Sequence, residues 1–167
     1  MYYGNSENVF IETLYAPGYS YLMMSNFRTY LTLKFVPCVG INKRGLWKYS
    51  KKIFLSTTLD PEGATYFLGA AMSILNGNEP QKKVEATLPC KNNAALTLQY
   101  GPDQNNQMVA YMVLNKNNLT IYFRFPTQQI QEMVDGQMVT KVIQSGLNNF
   151  AIILDRYIKE TPTDQTT

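Results

Sequence analysis

Residues 40–56, GINKRGLWKYSKKIFLS, contain Lys43, Arg44, Lys48, Lys51 and Lys52 and no acidic residue. Trp47, the single tryptophan of the chain, stands among them, two residues from Tyr49. Ammonium and guanidinium groups meet phosphates, and flat rings stack on unpaired bases. A surface with both binds single-stranded nucleic acid with little sequence preference, because every base has a π-face. The pairing of ring with basic or polar group recurs at Tyr30 and Lys34, at Tyr111, and at Tyr122 and Arg124. In this reading Lys43, Arg44, Lys48, Lys51 and Lys52 contact phosphates, and Trp47, Tyr49, Tyr30, Tyr111 and Tyr122 stack on bases. Lys34 and Arg124 line the groove between them. The same residues also fit a blander description, in which lysines keep an edge strand solvated and the tyrosines are ordinary sheet residues.

Other chemistry is poorly supplied. The chain has no histidine, which excludes Ser-His-Asp and Cys-His catalysis and every His-containing metal site. Cys38 and Cys90 lie far apart, each beside a proline, and form no CxxC pair. They could form one disulfide, but two free, buried thiols in a reducing compartment are the preferred reading. Asp60 and Glu62 suit a helix start, and Asp103 suits a turn. The eight methionines read as core filler. No enzyme activity, catalytic residue, metal or cofactor is expected. The net charge of +3 is too mild to imply a polyanion partner, so the local distribution of charge carries the argument. No apolar run reaches membrane-spanning length, and the first residues, MYYGNSENVF, lack the pattern of a signal or transit peptide. The expectation is a cytoplasmic protein, or one of the host cytoplasm if viral, without a membrane partner.

The elements that must position these residues follow from periodicity. VFIETLY (9–15), YSYLMM (19–24), RTYLTLKFVP (28–37) and LWKYSKKIFLS (46–56) read as strands. Pro37 is expected to end the ladder pairing of the third or to place it at an edge. In a continuous fourth strand, Trp47, Tyr49 and Lys51 share one face and Lys48 and Lys52 the other. LDPEGATYFLGAAMSILNGN reads as a helix, with Asp60 as N-cap, Pro61 at its first position and Asn76-Gly77 as its stop. KKVEATLP (82–89), AALTLQY (94–100), QMVAYMVLN (107–115) and NLTIYFRF (118–125) are four more strands, joined by Gly-, Asn- and Asp-rich turns. From Thr127, the residues Ile130, Val134, Met138, Val142, Leu147, Phe150, Leu154 and Ile158 form an apolar stripe that predicts one long helix. The fold class expected is α+β: two antiparallel four-stranded meanders, each followed by a helix (ββββα-ββββα). Residues 1–160 form one domain and 161–167 a disordered polar tail.

The segment Leu33-Lys34-Phe35-Val36-Pro37-Cys38-Val39-Gly40, followed by Trp47 and by Lys52-Ile53-Phe54-Leu55-Ser56, resembles the Whirly family of single-stranded-DNA-binding proteins. That family shares its fold with transcriptional positive cofactor four. The local match spans about 25 residues, and the order of elements spans nearly the whole chain. The resemblance implies a homotetramer assembled through its helices, with single-stranded DNA lying between the sheets of neighbouring subunits. It also implies work in replication, recombination or repair. RNA is an alternative ligand, since guide-RNA-binding proteins share the architecture; a structural or assembly protein, such as a phage component, is the other alternative. The chain departs from plant members in reading ENVFIETLYA where they carry Lys-Gly-Lys-Ala-Ala, which suits a bacterial, archaeal or phage version.

Overall fold

The computed structural model describes residues 11–27, 29–77 and 82–161. The chain runs β1 (Ile11–Ala16), β2 (Ser20–Phe27), β3 (Tyr30–Ile41), β4 (Trp47–Tyr49), β5 (Leu55–Leu59) and α1 (Pro61–Leu75). It continues with β6 (Val84–Cys90), β7 (Ala94–Pro102), β8 (Met108–Lys116), β9 (Leu119–Arg124), β10 (Gln128–Val134), β11 (Gln137–Ile143) and α2 (Ser145–Glu160). The fold is α+β, and its strand pairs are antiparallel. One sheet has the order β1-β2-β3-β4, with β5 also paired to β3; a second has the order β6-β7-β8-β9; among the described residues, β10 and β11 pair only with each other.

Alternation decides which face each sheet buries. Leu31, Leu33 and Phe35 of β3 point inward with Leu22 and Met24 of β2, while Tyr30 and Lys34 point away. In the second sheet Ile121 and Phe123 are buried, and Tyr122 and Arg124 lie on the other face. Both inner faces join α1 and α2 in a single core, in which Phe125 packs on Phe123 and Phe150. Asp60 caps α1 as expected: its Oδ1 accepts from the Gly63 N–H at 2.8 Å, with Pro61 at the first helical position. The Asn117-Asn118 turn between β8 and β9 takes positive φ at both residues, which asparagine tolerates best after glycine.

Two expectations are corrected. The long helix from Thr127 is a hairpin, β10–β11, followed by the shorter α2. Its stripe residues recur every four positions from 130 to 142, a spacing that suits one face of a strand as well as of a helix. Asp135-Gly136, with φ of 51° and 80°, turns the chain there, and the β-branched Val134, Val139, Thr140, Val142 and Ile143 favour strands. The fourth strand, 46–56, is two strands with a bend between them, because Ser50 Oγ accepts from the Lys52 and Ile53 N–H groups at 3.2 and 2.8 Å. Pro37 is the last residue of β3 that pairs with β2, in keeping with the expected end of its ladder, and β3 runs on to Ile41 beside β4. The first half therefore has five strands rather than four, and the second a meander plus an added hairpin.

The cysteines are free but partly exposed rather than buried. The start of the first predicted strand (9–10) and most of the predicted tail (162–167) lie outside the described residues. Thr161 is the buried C-cap of α2, with its hydroxyl donating to the Tyr157 carbonyl at 2.6 Å. Among the described residues, no helix is long and apolar enough to cross a membrane.

Tyr157 ties α2 to the first sheet. Its ring is fully buried, and its hydroxyl reaches the carbonyls of Thr29 and Leu59. Burial, then the nearby Asp60 carboxylate, pushes the phenol up to about 12 from its ordinary 10.0. A raised folded pKa favours the protonated phenol in the fold. This stabilisation is complete below the unfolded pKa and is lost as pH rises from there through the folded value. Tyr157→Phe is expected to cost about 1–2 kcal/mol at neutral pH, because it strips a donor from buried carbonyls. In urea titrations, the gap between wild type and variant should close above pH 10.0 as the wild-type phenol ionises. A gap that stays constant to high pH excludes the phenol as the cause.

Candidate nucleic-acid interface

The cationic segment is a protruding two-stranded ribbon. Beyond Pro37, β3 leaves β2 and β5 and pairs with β4 alone, as Cys38 with Tyr49, Gly40 with Lys48, and Ile41 with Trp47. The register slips between Cys38 and Gly40, which leaves Val39 as the extra residue of a bulge; Gly40 takes φ 140°, open to glycine and little else. At the tip, Asn42 Oδ1 accepts from the Arg44 and Leu46 N–H groups at 2.8 and 3.0 Å, and Gly45 turns with φ 78°. Lys43 and Arg44 are thereby held in a defined, exposed loop. No aspartate or glutamate occurs between Glu12 and Asp60, a stretch with seven Lys and Arg residues.

The ribbon has an aromatic face. Trp47 and Tyr49 share it with Ile41 and Cys38, and Lys48 is on the opposite side. The Tyr49 ring lies 5.2 Å from that of Tyr21 and 5.9 Å from that of Tyr15, and those two rings are 5.9 Å apart. Burial, then Cys38 and Tyr15, raises the Tyr49 phenol above its ordinary value. Trp47, 44% exposed, covers Gly18 in the β1–β2 turn. A Cβ added there would meet the indole at 3.5 Å, on a backbone already at φ 82°.

The next residue, Tyr19, starts a second cluster. Its ring is 6.2 Å from that of Tyr111, which is 6.5 Å from that of Tyr122. The Arg124 guanidinium stands 6.0 Å from the Tyr19 ring and donates to Asp103 Oδ2 at 2.9 Å. Desolvation opposes the charge of Arg124, but Tyr19, Tyr111 and Asp103 outweigh it and raise its pKa. Desolvation, then Tyr19, raises the Tyr111 phenol. Tyr19 and Arg124 also line a shallow cleft of about 280 Å³ with Ala16, Pro17, Pro126 and Thr127.

The structure thus brings Trp47, Tyr49, Tyr111, Tyr122 and Arg124 to two ring clusters on either side of the Pro17-Gly18-Tyr19 turn. Lys43, Arg44 and Lys48 are on the ribbon beside them, and Lys51 and Lys52 are exposed in the bend after it. Because β4 stops at Tyr49, Lys51 does not continue the face of Trp47 and Tyr49. Lys34 lies midway along β3, with its Nζ 4.5 Å from the centre of the exposed Phe54 ring. Tyr30 does not join the group. It sits eight residues before Cys38, roughly 26 Å along an extended strand. There it lines a separate cleft of about 410 Å³ with Asp60, Glu62 and Lys91. The sequence reading missed Tyr15, Tyr19 and Tyr21; their alternate spacing on both sides of Pro17-Gly18 was the available signal.

Among the described residues, no group of three or more Cys, Asp or Glu is placed to hold a metal ion. Compared with protein-family models, curated proteins and solved structures, the chain has no match.

Asp103 anchors the second cluster. Its Oδ1 accepts from the Asn105 and Gln107 N–H groups at 2.8 and 2.9 Å while its Oδ2 holds Arg124. The Gln107 N–H, with Asn105 and Arg124 in support, keeps the carboxyl below its ordinary 3.8. A depressed folded pKa means that the stabilisation is present above the unfolded value and lost as pH falls through the folded one. Asp103→Ala is therefore expected to lower the urea midpoint at neutral pH, and the difference from wild type should shrink steadily below pH 3.8. A difference that does not change in acid excludes the carboxylate as its source.

Proposed function

We propose that the chain binds single-stranded DNA with little sequence preference and without catalysis. In this reading the strand crosses the ring clusters, with bases against Trp47, Tyr49, Tyr111 and Tyr122 and phosphates against the cations of the ribbon and its base. The supporting observation is the continuity of rings across the Pro17–Tyr19 turn, beside a ribbon that carries cations and no acid. Three missed tyrosines, Tyr15, Tyr19 and Tyr21, enlarge the platform. The finer reading is a Whirly-like homo-oligomer, in which strands run between the sheets of adjacent subunits during replication, recombination or repair in the cytoplasm. The added β10–β11 hairpin and the fifth strand are this chain's departures from the ββββα-ββββα order. Tyr30 leaves the binding set, and Arg124 is reassigned from the groove wall to the anchor of Tyr19 and Tyr111.

Fluorescence anisotropy of labelled oligo-dT, read across a salt series with duplex and RNA competitors, tests the reading. Binding should be salt-sensitive and resistant to duplex, and the signal of the lone Trp47 should change as the strand binds. Trp47→Ala should weaken binding by about 1–3 kcal/mol at every salt concentration. Lys51→Ala with Lys52→Ala should flatten the salt slope by about 0.7 for each phosphate that is no longer neutralised. Absence of binding at low salt rejects the proposal, and preferential capture by RNA of identical sequence moves it to the alternative ligand.

A further inference from the structure

The β10–β11 hairpin supplies no residue to the core. It pairs along its whole length, from Gln128–Ile143 to Val134–Gln137, and its packing is essentially its own. Apolar side chains are exposed on both faces: Ile130, Val134, Val139 and Ile143 on one, Met133 and Met138 on the other. A lone two-stranded hairpin is marginal in water, and apolar surface of this extent marks an interaction site. Its root, in contrast, is fixed. Gln107 Nε2 donates to Thr127 Oγ1 at 3.1 Å, Gln144 Nε2 to the Met108 carbonyl at 2.7 Å, and the Gly146 N–H to the Pro126 carbonyl at 2.8 Å. A hairpin held rigidly at its base and left bare along its length is built to be presented to something.

Charge identifies the occupant. The hairpin carries Glu132 and Asp135 near its turn against the single Lys141, so it repels phosphates rather than attracting them. The β3–β4 ribbon is its opposite: Lys43, Arg44 and Lys48 without an acid, beside exposed Val39, Ile41 and Leu46. β4 is also the last strand on its side of the first sheet, which leaves a free main-chain edge, and both strands of the hairpin have one. One chain therefore carries an acidic apolar arm and a basic apolar edge. We propose that the hairpin of one copy docks on the β3–β4 ribbon of a second copy, head to tail. Such a contact joins two different patches, so it builds a ring where the rotation closes and a filament where it does not. It differs from the helix-mediated tetramer that the sequence resemblance implies, and it does not depend on nucleic acid.

Light scattering of the full chain, free of nucleic acid and over a concentration series at low salt, tests the proposal. The wild type should have a mass that is a multiple of 19.0 kDa. Met133→Lys with Met138→Lys, which removes apolar surface and reverses the local charge, should reduce it at least twofold. Two surface variants guard against misfolding as the cause, with circular dichroism to confirm their structure. Glu132→Lys with Asp135→Lys, and separately Lys43→Glu with Arg44→Glu, should each lose association, and an equal mixture of the two should regain it. A wild type that stays monomeric, a hairpin variant that keeps the wild-type mass, or a mixture that fails to reassemble overturns the proposal. Loss of oligo-dT binding alone would reject the nucleic-acid reading and leave this one standing.

Discussion

The arrangement of the aromatic surface depends on a missing hydrogen-bond donor at Pro37. Over its first half, β3 is a central strand between β2 and β5, where every main-chain group needs a partner. The Pro37 carbonyl accepts from the Ser50 N–H at 2.9 Å, so it points to the side on which β5 has ended and β4 has yet to begin. The proline nitrogen points the same way, into the one interval where no donor is required. Proline is tolerated in the middle of this long strand because the neighbour changes there. On the other side, the Cys38 N–H continues to the Tyr19 carbonyl at 2.9 Å and holds the β1–β2 turn against the root of the ribbon. That bond places Gly18 beneath Trp47 and sets Tyr19 toward the second sheet.

The surface is rigid because it is continuous with the core on the reverse of the same strands. Phe35 is fully buried while Lys34 beside it faces out, and Phe123 is fully buried between Tyr122 and Arg124. Each ring on the outer face therefore inherits its position from an apolar neighbour packed against α1, α2 or the other sheet. Contacts across the two sheets add to this. Ser20 is fully buried, and its hydroxyl donates to the Tyr122 carbonyl at 2.7 Å, which joins the start of β2 to β9 beneath the tyrosines. Lys116 Nζ donates to the Ser56 carbonyl at 3.1 Å. Moving one ring cluster against the other would break such buried or part-buried polar contacts, and broken contacts of this kind are costly.

The sequence was legible where local chemistry and tertiary demand agree. Asp60-Pro61 opens α1 as capping rules require, the helix stops at Leu75 just before Asn76-Gly77, and strict alternation set the inner faces of β3 and β9. It was less legible where one pattern suits two structures. The spacing of Ile130, Val134, Met138 and Val142 fits a helical stripe, yet Asp135-Gly136 divides them between two strands and two faces. Ser50 was indistinguishable from any polar strand residue until its hydroxyl was seen to accept from two N–H groups and end β4. Long-range proximity was the least legible of all. Nothing local indicates that Tyr19 meets Tyr111, or that Tyr30, on the same strand as the ribbon, belongs to a different cleft.

A net charge of +3 gives little hint of how unevenly this chain distributes its ions. The acid-free stretch between Glu12 and Asp60 contains the whole first sheet beyond the start of β1, whereas the second sheet pairs its outward Arg124 with Asp103. Local fields decide association, because exposed charges farther apart than about 8 Å are largely screened at physiological salt. The ribbon therefore acts as a basic body and the hairpin as an acidic one, despite belonging to one nearly neutral molecule. Both are rooted at the same end of the fold: the ribbon beside Tyr19, and the hairpin after Pro126 and Thr127, which line the cleft with Tyr19 and Arg124. Two arms of opposite character flanking one aromatic floor cannot both be explained by solubility, since the hairpin exposes apolar side chains where a solubilising element would bear charge. Their common root favours a surface completed by other molecules, in which the basic ribbon and the acidic hairpin are complementary in charge and the aromatic floor lies between them.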